Sequence, residues 1–155
     1  MFDSYLNKMK IYIASDHGGF RLKQKMVSFL EKLGYSVEDM GPYKLQKGDD
    51  YPDFVIPLAK KVSKSKSMGI VICRNGQGVC IAVNKIKGIR GVTGFSQKEA
   101  KTTRLDDNAN ILSLPADYLT EVQAKKIARV WLRTPFSNQA RHKRRLKKIR
   151  KVENG

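Results

Sequence analysis

Cysteine and histidine are scarce in this chain. Its 155 residues include two cysteines and two histidines. Two cysteines cannot build a disulfide framework, and neither lies at zinc-ligand spacing from His17 or His142. We therefore expect both thiols to be reduced, and we predict no metal site.

Long hydrophobic runs are also missing. No stretch approaches the roughly 20 apolar residues that a membrane-spanning helix requires. The first ten residues, MFDSYLNKMK, lack the apolar segment of a secretory signal peptide. Residues 1–8 are interpreted as a leader before the first strand, and a cytoplasmic location is expected by default.

With 155 residues and 41% hydrophobic content, the chain is predicted to form one domain, 1–155, with a packed core.

Acidic residues are few beside basic ones. The chain has 31 Lys and Arg against 14 Asp and Glu, a net charge of +17. A basic C-terminal helix is predicted over residues 140–153, and its segment RHKRRLKKIRK attracts partners that carry phosphate. Three interpretations stay open: a solvated terminal helix, a site for a small phosphorylated ligand, and a nucleic-acid surface. Phe136 is the one aromatic residue nearby, which disfavours stacking on single-stranded nucleic acid.

Apolar runs alternate with helical patterns along the whole chain. Strands are predicted at residues 10–15, 35–40, 68–73, 89–95 and 110–115. Ser96 and Glu99 have the spacing of a capping box, and a helix is predicted to begin or kink near Pro57. This alternation predicts a single α/β domain with a parallel sheet.

Three polar clusters are predicted at the carboxyl edge of that sheet, where open parallel sheets bind ligands. Asp16-His17 follows the first strand, and Cys73-Arg74-Asn75-Gly76-Gln77-Gly78 follows the third. The third cluster, Asp106-Asp107-Asn108, precedes the fifth strand but also ends the helix after the fourth strand.

The segment that begins at Cys73 has the composition of an anion-binding loop. Gly76 and Gly78 allow backbone N–H groups to approach a ligand oxygen, and the helix that follows adds a positive N-terminal dipole. That field favours the thiolate of Cys73, which would suit proton abstraction beside a carbonyl group. The alternative is that Cys73 only completes a buried strand. Cys80 is interpreted as a core residue without a catalytic role.

Six segments, taken in order from about residue 9 to 150, resemble a known family. They are IASDHGGFRLK, DYPDF, ICRNGQGVCIAVNK, GIRGV, DDNANILSLP and TPFSNQARHKRRLKKI. The family is ribose-5-phosphate isomerase type B with the galactose-6-phosphate isomerase subunits. The resemblance implies a three-layer α/β/α sandwich around a five-stranded parallel sheet. It also implies an aldose–ketose isomerase that needs no metal or cofactor and acts as a homodimer or tetramer with active sites shared between subunits.

The resemblance also implies roles for individual residues. Cys73 matches the family's base, and the backbone of Arg74, Asn75, Gly76, Gln77 and Gly78 matches the hole for the enediolate oxygen. Asp16 and His17 match sugar and phosphate contacts. Arg141 and Arg145 match the phosphate clamp; they are spaced i, i+4 and so share one helix face.

Three departures from the family pattern stand out. Asp106 and Asp107 stand where the family has its ring-opening histidine and the asparagine after it, so Asp106 is the candidate for that catalytic role and Asp107 for a binding role. Arg74 and Asn75 replace the Gly-Thr that often follows the cysteine. Asp117 replaces an arginine that contacts substrate, and Arg74 is the candidate source of the lost positive charge.

Three functions are weighed. The first is isomerisation of ribose 5-phosphate and ribulose 5-phosphate, as in the pentose phosphate pathway. The second is isomerisation of a six-carbon sugar phosphate, such as allose or galactose 6-phosphate. The third is a degenerate family member that binds phosphate or nucleic acid. The expected partner is a small phosphorylated sugar, and neither a membrane nor a nucleic acid is predicted as a partner.

Overall fold

Eleven helices and strands make up residues 9–155, the part of the chain that this computed structural model describes; the predicted leader, 1–8, lies outside the described residues. In chain order they are β1 Lys10–Ser15, α1 Phe20–Lys32, β2 Ser36–Asp39, α2 Pro52–Ser63, β3 Ser67–Cys73, α3 Gln77–Val83, β4 Gly91–Thr93, α4 Gln97–Asp107, β5 Ile111–Pro115, α5 Glu121–Arg133 and α6 Ala140–Glu153.

The five strands form one parallel sheet in the order β2-β1-β3-β5-β4. β3 lies at its centre, and all seven of its residues are buried, as its unbroken apolar sequence predicts. β2 pairs with one edge of β1, and β3 pairs with the opposite edge of β1. The strand order therefore reverses between β1 and β3, and a crevice opens beyond their carboxyl ends.

Two apolar clusters cover the faces of the sheet and make three layers. Successive side chains of a strand point to opposite faces, so Ile70 and Ile72 pack with α1, α4 and α5, whereas Val71 and Cys73 pack with α2 and α3. Burial of each such isoleucine stabilises the fold by about 1.5–3 kcal/mol. The predicted three-layer α/β/α sandwich with a five-stranded parallel sheet is confirmed.

Local signals place most helix ends correctly. Ser96 and Glu99 form the predicted capping box, and Gly34 has a φ of 91° just after α1. The prediction that a helix starts or kinks near Pro57 misplaces its beginning: α2 starts at Pro52, and Pro57 lies inside it. Proline suits the first helical position because its φ is already helical and it has no N–H to leave unpaired. Pro52 thus starts the helix, and the later Pro57 removes one backbone hydrogen bond.

The predicted basic C-terminal helix is α6. Only His142 is buried on it, whereas Ile149 and Val152 are 55% and 82% exposed. Glu153 near its end accepts a hydrogen bond from the Gly88 N–H at 3.0 Å. Within residues 9–155, no helix has the length and apolar character needed to cross a membrane.

Candidate active site

Two loops meet at the crevice between β1 and β3. The Asp16 N–H donates to the Ile72 carbonyl at 3.3 Å, which ties the end of β1 to β3. Asp16 is buried, and its Oδ1 accepts from the Gly19 N–H at 3.0 Å, which fixes the turn into α1. The structure therefore brings two predicted clusters together: Asp16-His17 lies beside the loop that begins at Cys73.

Cys73 lies at the base of this crevice, with only 4% of its surface exposed. Its Sγ is 3.7 Å from Asn75 Oδ1, a long contact in which the thiol donates. The same Asn75 oxygen accepts from the Gln77 N–H at 2.9 Å. Asn75 therefore orients the thiol and the first turn of α3 together.

Glycine is required at two points of the loop. Gly76 has a φ of 73°, a left-handed conformation that glycine adopts readily. At Gly78 a Cβ would lie 2.6 Å from Cζ of the Tyr51 ring. The Gly76 carbonyl accepts a hydrogen bond from the buried Ser113 hydroxyl, so β5 also fixes the position of the loop. Ser113 and Tyr51 support the site although no local sequence signal marks them.

His17 has a partner that sequence reasoning missed. Asp49 Oδ1 is 2.7 Å from His17 Nδ1 and also accepts the His17 backbone N–H at 2.9 Å. The Asp49 side chain is only 5% exposed. A carboxylate at Nδ1 favours the tautomer with a proton on that nitrogen, which leaves Nε2 available to a ligand. The two residues are 32 positions apart, so only a hint was available: Asp49 precedes the DYPDF segment.

The third predicted cluster does not lie at this edge. α4 crosses back from the end of β4 to the start of β5, so Asp106 and Asp107 lie at the amino edge of the sheet. The prediction that this cluster lies at the carboxyl edge of the sheet was therefore wrong. The reason is topological: a helix that joins two parallel strands ends where the next strand begins.

Asp106 instead lies beside α6. Its Oδ1 is 3.5 Å from Nε2 of the buried His142, and that nitrogen is 3.2 Å from Arg141 Nε. His142 is thus a second titratable group at this cluster, and it was not singled out from the sequence. Arg145 is one turn further along α6, and both Arg141 and Arg145 are exposed. The predicted site residues of one chain accordingly form two groups at opposite edges of its sheet.

Comparison with known proteins identifies the family. The family model described as Ribose/Galactose Isomerase matches residues 11–149. The chain belongs to this family. It is 41% identical to the probable ribose-5-phosphate isomerase B of Mycoplasma genitalium over 92% of this chain and 95% of that protein. It is 36% identical to ribose-5-phosphate isomerase B of Mycolicibacterium paratuberculosis over 89% of this chain and 87% of that protein.

Solved structures agree with this assignment. Ribose-5-phosphate isomerase B from Mycoplasma genitalium with bound ribulose 5-phosphate has a TM-score of 0.91 at 40% identity and covers 94% of this chain and 97% of its own. The Clostridium thermocellum enzyme has a TM-score of 0.90 at 39% identity and covers 94% and 98%. The resemblance of the six sequence segments is confirmed.

The departure from the ribose/galactose isomerase pattern at position 117 has a structural counterpart. Arg74 Nη1 lies 3.6 Å from Asp117 Oδ1, with the two side chains 62% and 49% exposed. The Arg74 side chain also packs over Gly18: a Cβ added to Gly18 would lie 2.5 Å from Arg74 Cγ. The arginine that follows Cys73 and the acid at position 117 therefore face each other at the mouth of the crevice.

Cys80 differs from Cys73 in its surroundings. Burial raises the pKa of the Cys80 thiol, although hydrogen bonds with Thr93 and Asn84 act in the opposite direction. A raised pKa keeps this thiol protonated near neutral pH. The interpretation of Cys80 as a core residue was wrong: its side chain is only half-buried and lies outside both apolar clusters, because α3 turns it toward Thr93 and Asn84. Within residues 9–155, no group of three or more His, Cys, Asp or Glu side chains is arranged to hold a metal ion.

Proposed function

We propose that this family member interconverts ribose 5-phosphate and ribulose 5-phosphate by proton transfer through an enediolate. The observation that carries the proposal is the Cys73 thiol at the carboxyl end of β3, beside a loop whose backbone is held open by two glycines. The five-carbon sugar is favoured because the similar proteins are named ribose-5-phosphate isomerase B and one of them was crystallised with ribulose 5-phosphate.

Cys73 moves one proton between two carbons in this mechanism. As a thiolate it removes the proton from C2 of the open-chain aldose. The electron pair of that C–H bond forms the C1–C2 double bond, and negative charge develops on O1. Backbone N–H groups of residues 74–78 stabilise this oxygen. The Cys73 thiol then returns the proton to C1, while the O2 hydroxyl passes its proton to O1. O2 becomes the ketose carbonyl, O1 becomes the C1 hydroxyl, and Cys73 is a thiolate again.

His17 and Arg74 hold the substrate above the thiol. The Asp49 carboxylate keeps His17 Nε2 free to contact the sugar phosphate. Arg74 lies across the same crevice and supplies a guanidinium, a group well suited to phosphate and hydroxyl oxygens. Its exposed pairing with Asp117 is weak enough to be exchanged for a substrate contact.

A second copy of the chain completes the site. Asp106, Asp107, Arg141 and Arg145 lie at the opposite edge of the sheet from Cys73, so they reach a bound sugar only from a neighbouring subunit. We assign Arg141 and Arg145 to the phosphate. Asp106 is assigned to the ring oxygen, with the nearby His142 as its proton partner, and Asp107 to sugar binding. The functional unit is therefore at least a dimer, and sedimentation of a fully active monomer would contradict it.

A coupled isomerase assay over five- and six-carbon sugar phosphates tests the substrate. The highest kcat/KM is expected with ribose 5-phosphate; a higher value with allose or galactose 6-phosphate would move the assignment to a six-carbon sugar.

Exchange of the C2 proton with solvent deuterium tests the base. Cys73→Ala should abolish this exchange, whereas the matched Cys80→Ala should retain it. Exchange that survives in folded Cys73→Ala would refute the role of Cys73.

A further inference from the structure

A polar cleft at the amino edge of the sheet takes no part in the proposed reaction. It has a volume of about 660 Å³ and lies between the starts of β3, β4 and β5, at the opposite end of the sheet from Cys73. Ligand pockets commonly have volumes of about 300–1,000 Å³. The cleft is therefore large enough for a small phosphorylated molecule.

The lining of the cleft is basic. It includes Lys66, Arg90 and Arg104 together with the polar Ser67, Asn108 and Asn110, and none of the lining residues in the described range 9–155 is acidic. Within residues 9–155, neither arginine has a carboxylate at ion-pair distance. Glu153, whose charge reaches Arg90, is bound instead to the Gly88 N–H. Among the described residues, the positive charge of the cleft is thus offset only in part, by the more distant charge of Glu153.

Asn108 draws the two arginines together. It has a φ of 47°, a left-handed conformation that asparagine tolerates better than most residues. Its backbone carbonyl accepts from Arg90 Nε at 2.8 Å, and its side-chain oxygen accepts from Arg104 Nη1 at 3.0 Å. Because both guanidinium groups bind the same residue, they are held near each other at the cleft.

Both guanidinium groups are partly removed from water. Burial, and after it the neighbouring Arg90 charge, lowers the pKa of Arg104 to about 10. Burial also lowers the pKa of Arg90, with a further contribution from Arg150. Arg104 donates hydrogen bonds from Nε and Nη1 to the carbonyl oxygens of Thr134 and Ala109, but these neutral partners do not neutralise its charge. An anion in the cleft would relieve the repulsion between the two cations.

We propose that this cleft is a second anion site, which binds the phosphate group of a small phosphorylated molecule between Arg90 and Arg104, with Lys66 at its rim. Planar guanidinium groups match the geometry of phosphate oxygens. The proposal does not rest on the isomerase assignment: no lining residue of the cleft has a role in the proposed reaction, although Asn108 directly follows Asp107 at the same edge of the sheet.

Amide NMR of the full chain, titrated with inorganic phosphate, tests the site and separates it from the active site. Saturable shifts are expected for the amides of residues 65–68, in addition to any shifts that phosphate at the proposed active site produces at residues 73–78, 106–107 and 141–145. Arg90→Gln should weaken phosphate binding in the cleft about 10-fold or more, the loss for one charged hydrogen bond, and leave the isomerase kcat/KM unchanged. The matched control Lys87→Gln removes the same charge from an exposed residue nearby and should leave both unchanged.

Lys66→Gln provides a second variant in case Arg90→Gln does not fold. Lys66 is exposed, and its replacement should also weaken binding in the cleft. Three results would overturn the proposal: no shifts at residues 65–68, shifts there that survive in both variants, or equal shifts with sodium chloride at the same ionic strength.

Discussion

The Arg74–Asp117 pair offers a direct test of how this chain departs from its family. The family resemblance expects glycine after the cysteine and a substrate-binding arginine at position 117. Here the arginine is at 74 and an acid is at 117, with 3.6 Å between Arg74 Nη1 and Asp117 Oδ1. If Arg74 performs the role of the missing arginine, its removal should weaken substrate binding, and transfer of the charge back to 117 should restore it.

The structure sets the size of both effects. Two unit charges 3.6 Å apart attract by about 1 kcal/mol in water, and exposed ion pairs contribute a net 0–1 kcal/mol or so. Asp117 therefore holds Arg74 only weakly. A charged hydrogen bond from Arg74 to the substrate is worth about 1.5–3 kcal/mol. Because Arg74 is 62% exposed, the lower part of that range applies, or a loss of about 10- to 30-fold in kcat/KM for Arg74→Ala.

Steady-state kinetics of four variants provide the measurement. Arg74→Ala should act mainly through a higher KM, because it removes a binding contact. Asp117→Asn should raise kcat/KM by up to about fivefold, since Arg74 loses its competing partner. The double variant Arg74→Gly with Asp117→Arg should recover to within about fivefold of the native chain. Lys64 is exposed and lies at the amino edge of the sheet, away from Arg74, so Lys64→Ala controls for the loss of one positive charge.

Two outcomes would refute this reasoning. An Arg74→Ala variant with kcat/KM within twofold of the native value would show that Arg74 does not contact substrate. A folded double variant as inactive as Arg74→Ala would show that the two positions are not interchangeable. Thermal melting curves establish that each variant is folded, because the exposed pair adds little to the free energy of unfolding.

Three further predictions concern the remaining groups. Arg145→Ala should lower kcat/KM roughly 10- to 150-fold on ribose 5-phosphate and ribulose 5-phosphate alike, whereas Arg144→Ala on another face of α6 should not; equal effects would remove the phosphate clamp. Asp106→Asn should impair the cyclic ribose 5-phosphate more than the open-chain ribulose 5-phosphate, and equal loss would exclude a ring-opening role. Asp49→Ala should raise KM about 10-fold and lower the free energy of unfolding by about 1–3 kcal/mol, since it leaves the His17 donors unpaired; an unchanged KM would contradict its positioning role.

Local sequence patterns determine most of the fold. Apolar runs place the strands, and the Ser96–Glu99 capping box and Gly34 mark helix ends, because hydrogen bonds and backbone conformations over a few residues specify these features. The position of Cys73 follows in the same way, since its place after a buried strand is a local property. Even the misplaced start of α2 is a local matter, a choice between Pro52 and Pro57.

Contacts between distant segments were decided only by the tertiary structure. Asp49 reaches His17, Arg74 faces Asp117, and Arg90 meets Arg104 through Asn108. No local pattern encodes these pairs, because sheet order and helix packing set which distant side chains become neighbours. Asp106 is a further example. The sequence shows its residue type and its spacing from other residues. It lies at the edge of the sheet opposite Cys73, however, because α4 runs from the end of β4 back to the start of the parallel strand β5.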